Sequence, residues 1–286
     1  MEQLEKEAVR LTAVIRASED WSKEYAKDPA THARLIKLEG RWEWALRKLF
    51  KSFAEEVKNG STVINWYQYY SQVRSDYNVT LIVPDDSTGQ WEDQFIQVSL
   101  DLVTEIVATG AIAGEAIYSR PLGITSTEEA IQRLGTDQVA KLVGKHVLPD
   151  GTIIDNPDKV YSITETIRND ILASIKRSLQ LGEDIQTAID RVYGAINNRS
   201  RAELIARTES VNAYQAGLRR FALSAGMKGK VWQDVGAKDK CREYAALGPV
   251  PIDYTYDGLD GPTAHPHCRC GMRYIDATEW ANRGDQ

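Results

Sequence analysis
The alternation of apolar and polar residues predicts a chain that is mostly helical. In "LEKEAVRLTAVIRAS", Leu4, Ala8 or Val9, Leu11 and Ile15 fall on one stripe, the i, i+3, i+4 recurrence that lets one helix face be buried. A break is expected at Asp28-Pro29, because proline disfavours helical geometry in the residue before it. The stripe resumes through Leu35, Leu38, Trp42, Leu46, Leu49 and Phe53 and ends at Asn59-Gly60, a pair that suits a C-terminal stop. This arm is charged, with few apolar residues per turn, and is expected to pack on a partner.

Trp66, Tyr67, Tyr69 and Tyr70 then crowd one short segment. Core packing or an oligomer interface is the expected use of such aromatics. "NVTLIVP" predicts a short strand, and helix is expected again from Trp91 to about Ala116. The capping box Ser126 to Glu129 predicts a helix running toward Leu142. "LPDGTIIDNPD" is rich in turn residues and is expected to mark a domain boundary. A second capping box, Ser162 to Glu165, opens a helix with Ile167, Ile171, Ile175 and Leu179 on one face and a stop at Gly182. "EDIQTAIDRVYGAI" predicts a short helix, and a third box, Ser200 to Glu203, opens one reaching Gly226. Beyond it "KVWQDV" and "CGMRYI" read as strands among Gly-, Pro- and Asp-rich loops. The expected fold class is mainly α with a small α+β C-terminal domain. It divides into a helical N-terminal arm (1–60), a helical middle region (61–158) and a C-terminal domain (159–286).

Composition narrows the function. At 286 residues, 42% hydrophobic and 27% charged, the chain is long enough for one large core or two modest ones. Its three cysteines are too few, and odd in number, for a disulfide scaffold. No membrane span is expected: "FIQVSLDLVTEIVATGAIAG" is interrupted by Asp101 and Glu105 and reads as a buried helix. The acidic opening "MEQLEKEAVRLTAVIRASED" fits neither a secretory signal nor a transit peptide. The net charge of −6 argues against wholesale wrapping by nucleic acid. Residues 199–230 nevertheless hold seven cations against Glu203 and Glu209, a local +5. Arg199, Arg201, Arg219, Arg220, Lys228 and Lys230 are the candidates for touching DNA, with a merely solvated face as the rival use.

The usual phosphate-loop, dinucleotide, zinc-protease and serine-hydrolase signatures are missing. What remains is Cys241 with "HPHCRC", His265 to Cys270. Cys241, His265, Cys268 and Cys270 would make a Cys₃His set for a tetrahedral metal such as zinc. Buried thiols without metal and a Cys/His nucleophile are the rival readings. In an extended segment the histidines point away from the cysteines, so one metal needs a turn near Pro266 or Arg269. Arg207 and Glu209 lie two apart on a helix and cannot face each other. The expectation is that Glu209 receives Arg269 or a loop N–H, and that Arg207 clamps Asp239.

Taken in order, "IARTES.N..Q.G", "G.K.KVWQD", "D.C" and "HPHCRC" resemble the C-terminal domain of the phage Mu F-like minor head protein family over about residues 160–275. The matching motif positions are Arg207, Thr208, Glu209, Trp232, Asp239, Cys241, His265, Pro266, Cys268, Arg269 and Cys270. Tyr244 departs from the C-x-x-C of many relatives. The resemblance implies a non-enzymatic virion component for head morphogenesis, made in the host cytoplasm. It would associate with the portal and other capsid or scaffold proteins inside the head, close to packaged DNA. The rivals are a toxin-like effector or enzyme using the Cys/His/Glu set, and a metal-supported DNA-binding module.

Overall fold
The computed structural model describes residues 21–60, 64–72, 89–120, 127–156, 162–236 and 240–285. The helix expected at 4–18, the strand at 78–84, the Ser126 cap and Asp239 lie outside the described residues, as does the Tyr70 side chain. The elements are α1 (Pro29–Lys58), α2 (Trp66–Gln72), α3 (Gly89–Tyr118), α4 (Thr127–Leu142), β1 (Lys145–Val147), β2 (Ile153–Asp155), α5 (Ile163–Leu181), α6 (Ile185–Ile196), α7 (Arg199–Ser224), β3 (Gly229–Gln233), α8 (Lys240–Ala246), β4 (Val250–Pro251), β5 (Gly271–Ile275) and α9 (Ala277–Ala281). The chain is thus mainly α with a small C-terminal sheet of order β4-β3-β5, as the periodicity predicts.

Two compact units result. One takes its described residues from Met1–Glu43, Asp101–Gly135 and Glu203–Gln286, the other from Trp44–Leu100 and Thr136–Ala202. This grouping cuts across the sequential division at 60 and 158. The cause is helix length: α1 and α3 have 30 residues each, about 45 Å at 1.5 Å per residue, so each contributes to two cores.

In the first unit, Asp28 caps α1. The Thr31 N–H donates to its Oδ1 at 3.3 Å and the Thr31 hydroxyl to its Oδ2 at 2.6 Å. Asp28-Pro29 therefore starts a helix, with proline at the first position where its missing N–H costs nothing. Leu35, Leu38 and Trp42 are buried inside the chain, so the stripe expected to meet a partner already has its cover. Helices α3 and α7 cross at backbone contact. A Cβ added at Gly110 would overlap the Tyr214 carbonyl, and one at Gly217 the Val107 carbonyl. Helix α3 is long and apolar enough, by length and composition, to cross a bilayer. In this fold its Val103, Ile106, Val107, Ala111 and Ala113 are core residues. The sheet centres on β3, antiparallel to β5 with Trp232 opposite Met272 and Gly229 opposite Ile275. The Tyr274 N–H donates to the Tyr118 hydroxyl at 2.7 Å, tying β5 to α3.

In the second unit, Leu46, Leu49, Phe50, Phe53 and Val57 continue the α1 stripe, and Phe53 stacks on Trp91 at 4.6 Å. Two α1 carboxylates serve as anchors: Glu56 accepts from the Trp91 indole at 3.0 Å and Glu55 from the Tyr193 hydroxyl at 3.0 Å. Tyr69 of the aromatic segment is buried while Tyr67 stands 80% exposed. Ser162 caps α5 as expected, accepting from the Glu165 N–H at 3.3 Å, and Ile167, Ile171, Ile175 and Leu179 are buried. Gly182 closes the helix at φ 63°. The turn-rich "LPDGTIID" proves to be a hairpin, with β1 pairing antiparallel to β2, His146 opposite Ile154. Its Pro-Asp-Gly residues form the hairpin turn. The cap of α7 is Asn198, whose side chain accepts from the Arg201 N–H at 3.1 Å. Ser200 lies within the helix.

Candidate metal centre
One face of α7 holds the loop that carries "HPHCRC". The Arg207 carbonyl accepts from the Arg269 guanidinium at 3.1 Å. The Thr208 hydroxyl accepts from the His267 N–H at 3.2 Å. Asn212 Oδ1 accepts from both the Thr263 N–H and its hydroxyl, each at 2.9 Å. Gln215 donates at 2.9 Å to the Tyr25 hydroxyl, which in turn donates to the Cys270 carbonyl at 3.2 Å. Thr208, Asn212 and Gln215 recur at four- and three-residue spacing, so they share a helix face. Gly217, the last residue of the same motif, supplies the close approach to α3.

The loop turns where the metal reading requires it. His267 adopts φ 60° and the Cys268 N–H donates back to the His265 carbonyl at 3.3 Å. This turn reverses the extended geometry and brings His265 to the cysteine side. Cys241, His265 and Cys268 present their ligand atoms within 4.8 Å of one another, a group that can hold a metal ion. Cys241 and Cys268 Sγ are 3.8 Å apart; Cys270 is buried too but lies outside this group. All three cysteines are free and buried. His265 Nδ1 lies 2.8 Å from the Pro266 carbonyl. As a donor there it leaves Nε2 as the ligand atom, the usual way a second contact fixes a metal-binding tautomer. His267 is exposed and is not part of the set.

The three thiols are shifted in opposite directions by one another. Hydrogen bonds from the Cys241 and Cys270 thiols, aided by the Cys270 and Ala264 backbone N–H groups, hold the Cys268 thiol far below its ordinary value. Cys241 is pushed up, chiefly by its hydrogen bonds to Cys268 and Cys270. Cys270 is pushed up to about 12: a bond from Cys241 opposes the shift, but that given to Cys268 and burial outweigh it. A divalent cation would relieve this crowding, since thiolates are what zinc binds. Two thiols and an imidazole are donors of a kind that divalent metal ions take.

Behind the cluster, Trp232, Tyr244 and Tyr256 pack with ring centroids 4.9 to 5.3 Å apart. Tyr244 donates to Asp257 at 2.8 Å. It belongs to the aromatic wall.

Arg269 does not reach Glu209. Its guanidinium binds both carboxylate oxygens of Glu39, at 2.7 and 3.1 Å, and lies over the Trp21 ring at 4.2 Å. The Glu39 and Arg269 side chains are 0% and 4% exposed. Glu209 instead accepts from Asn212 at 2.7 Å, with burial raising its carboxyl. Arg207 pairs with Glu203 at 3.1 Å, one turn earlier. Glu39 went unnoticed in the sequence, yet it had a signal. It sits four after Leu35 and three before Trp42, a charge on the apolar stripe.

The six DNA candidates differ in exposure and pairing. Lys230 is buried and donates to the Asp260 carbonyl at 2.7 Å. Arg219 pairs with Asp260 at 3.3 Å, and Arg201 pairs with Asp170 while donating to the Ala195 carbonyl at 3.0 Å. Lys228 and Arg199 are exposed, and Arg220 is half-buried. At 3.6 residues per turn a 26-residue helix spreads its cations around its axis. No family model matches the chain, and neither does any curated protein or solved structure.

Proposed function
We propose that this chain is a minor head protein of the phage Mu F-like kind. It is made in the host cytoplasm and incorporated inside the capsid beside the portal, near scaffold and packaged DNA. One observation carries the reading. The described residues on which the resemblance rests serve a common purpose. Arg207 and Thr208, with Asn212 and Gln215, brace the loop that brings His265 and Cys268 to Cys241. A motif devoted to bracing suits a structural component. Cys241, His265 and Cys268 would hold one zinc ion in this reading. Such an ion would cross-link α8 to the loop. The chain's own residues fix the ligand geometry and exclude water.

The test is co-expression of the full chain with its portal and capsid proteins, followed by procapsid purification. The expected result is co-sedimentation with portal-containing procapsids and retention on immobilised portal. A chain that elutes alone from both overturns the proposal.

A further inference from the structure
The second unit carries a cationic surface that neither the metal centre nor the braced loop uses. Two grooves meet at Asn198. The first, of about 360 Å³, is lined by Trp44, Arg47, Lys48, Lys51 and Arg199 together with Asn197. The second, of about 420 Å³, runs past Arg177, Arg191 and Arg201. Seven cations thus line one continuous path in a protein whose net charge is −6.

The carboxylates nearby are already engaged. Asp170 pairs with Arg201 and Glu183 with Arg191. On α1, Glu55 and Glu56 are turned to Tyr193 and Trp91. Lys51, Arg177 and Arg199 are exposed, and among the described residues none of the three has a carboxylate within ion-pair distance. Lys48 stands over the Trp44 ring at 3.6 Å, an aromatic platform beside the path. A row of guanidinium and ammonium groups with amide side chains at its junction matches a run of phosphates. An isolated anion would use only one stretch of it.

We propose that this path binds the phosphodiester backbone of nucleic acid without reading base sequence. It deepens the DNA contact in the function proposed above, but the purified chain alone tests it. Binding of a short random-sequence duplex is followed by fluorescence anisotropy across a salt series. Lys51, Arg177 and Arg199 together account for a log–log salt slope of about −2.7, at roughly 0.9 per phosphate, or ~40-fold in affinity between about 50 and 200 mM salt. The triple variant Lys51→Gln/Arg177→Gln/Arg199→Gln, with its circular dichroism unchanged, is expected to lose that component. Each single substitution is expected to remove about 0.9 of the slope, which keeps the test readable should the triple variant fold poorly. Arg220→Gln/Lys228→Gln is expected to bind as the parent does. Absence of duplex binding overturns the proposal, as does unchanged slope in the variants. So does displacement of the duplex by inorganic phosphate or polyglutamate as readily as by unlabelled duplex, the mark of an oxyanion pocket or an acidic-peptide site. Failure to join procapsids with duplex binding intact would remove the function proposed above and leave this inference standing.

Discussion

Removing Glu39 is the sharpest test of the first unit. Its carboxylate is fully buried and meets a guanidinium that is 4% exposed, through two hydrogen bonds of 2.7 and 3.1 Å. Glu39→Ala leaves that guanidinium with the Arg207 carbonyl and the Trp21 ring around it but no countercharge from Glu39. Breaking a buried pair from one side costs about 3–5 kcal/mol, because the surviving charge remains desolvated. Arg269→Met should cost a similar amount by removing both guanidinium hydrogen bonds from the buried carboxylate. Replacing both, as Glu39→Met/Arg269→Met, removes both desolvation penalties and should cost far less than the sum. The expected coupling is therefore on the order of 2–4 kcal/mol. Urea denaturation of the four proteins measures it, provided the slope m stays constant. Raising the salt should leave the coupling nearly unchanged, since mobile ions do not reach a buried pair. Single variants costing under about 1 kcal/mol, or a coupling below about 0.5 kcal/mol, would refute the argument.

Gly217→Ala forces a methyl group against the Val107 carbonyl and should cost at least about 1–3 kcal/mol. Gly194→Ala in α6 meets nothing within 4 Å and should gain about 0.4–1 kcal/mol; thermal melts compare the two. Burial, then the Arg219 charge, lowers Lys230 to about 8 from 10.5. The unfolded chain therefore binds more protons between these values, and stability from this group rises with pH across that window. Below pH 8 the penalty is on the order of 3 kcal/mol. The stability of Lys230→Met relative to the parent should thus fall by up to that amount from pH 7 to pH 10.5, and a flat difference would contradict the account. Elemental analysis of protein purified without chelator should find about one zinc per chain. Cys241→Ser should lose most of it, and chelation should lower the melting temperature of the parent but not of the variant.

Much of the fold could be read from residue spacing because its helices are amphipathic and plainly punctuated. Ile167, Ile171, Ile175 and Leu179 declare a buried face, and Ser162 and Gly182 its two ends. Where two signals were equally good locally, tertiary context decided between them. Asp28-Pro29 serves as a break or as a cap and first residue, and Pro149-Asp150-Gly151 as a linker or a hairpin turn. Asn198 and Ser200 are both capable caps, and Asn198 won. At the metal centre the ligands were legible as residue types, but their convergence was not. That depends on the left-handed conformation of His267, which is held by Thr208 from a distant helix. The partner of Arg269 was misassigned because sequence proximity to the motif favoured Glu209, whereas Glu39 lies 230 residues away.

That separation bears on how the chain is made. A ribosome releases Tyr25 and Glu39 long before Cys270 and Arg269, to which they bond across 245 and 230 positions. Until Arg269 emerges, the α1 stripe carries a carboxylate that is costly to bury alone. The α1 stripe is therefore completed only by residues from the far end of the chain.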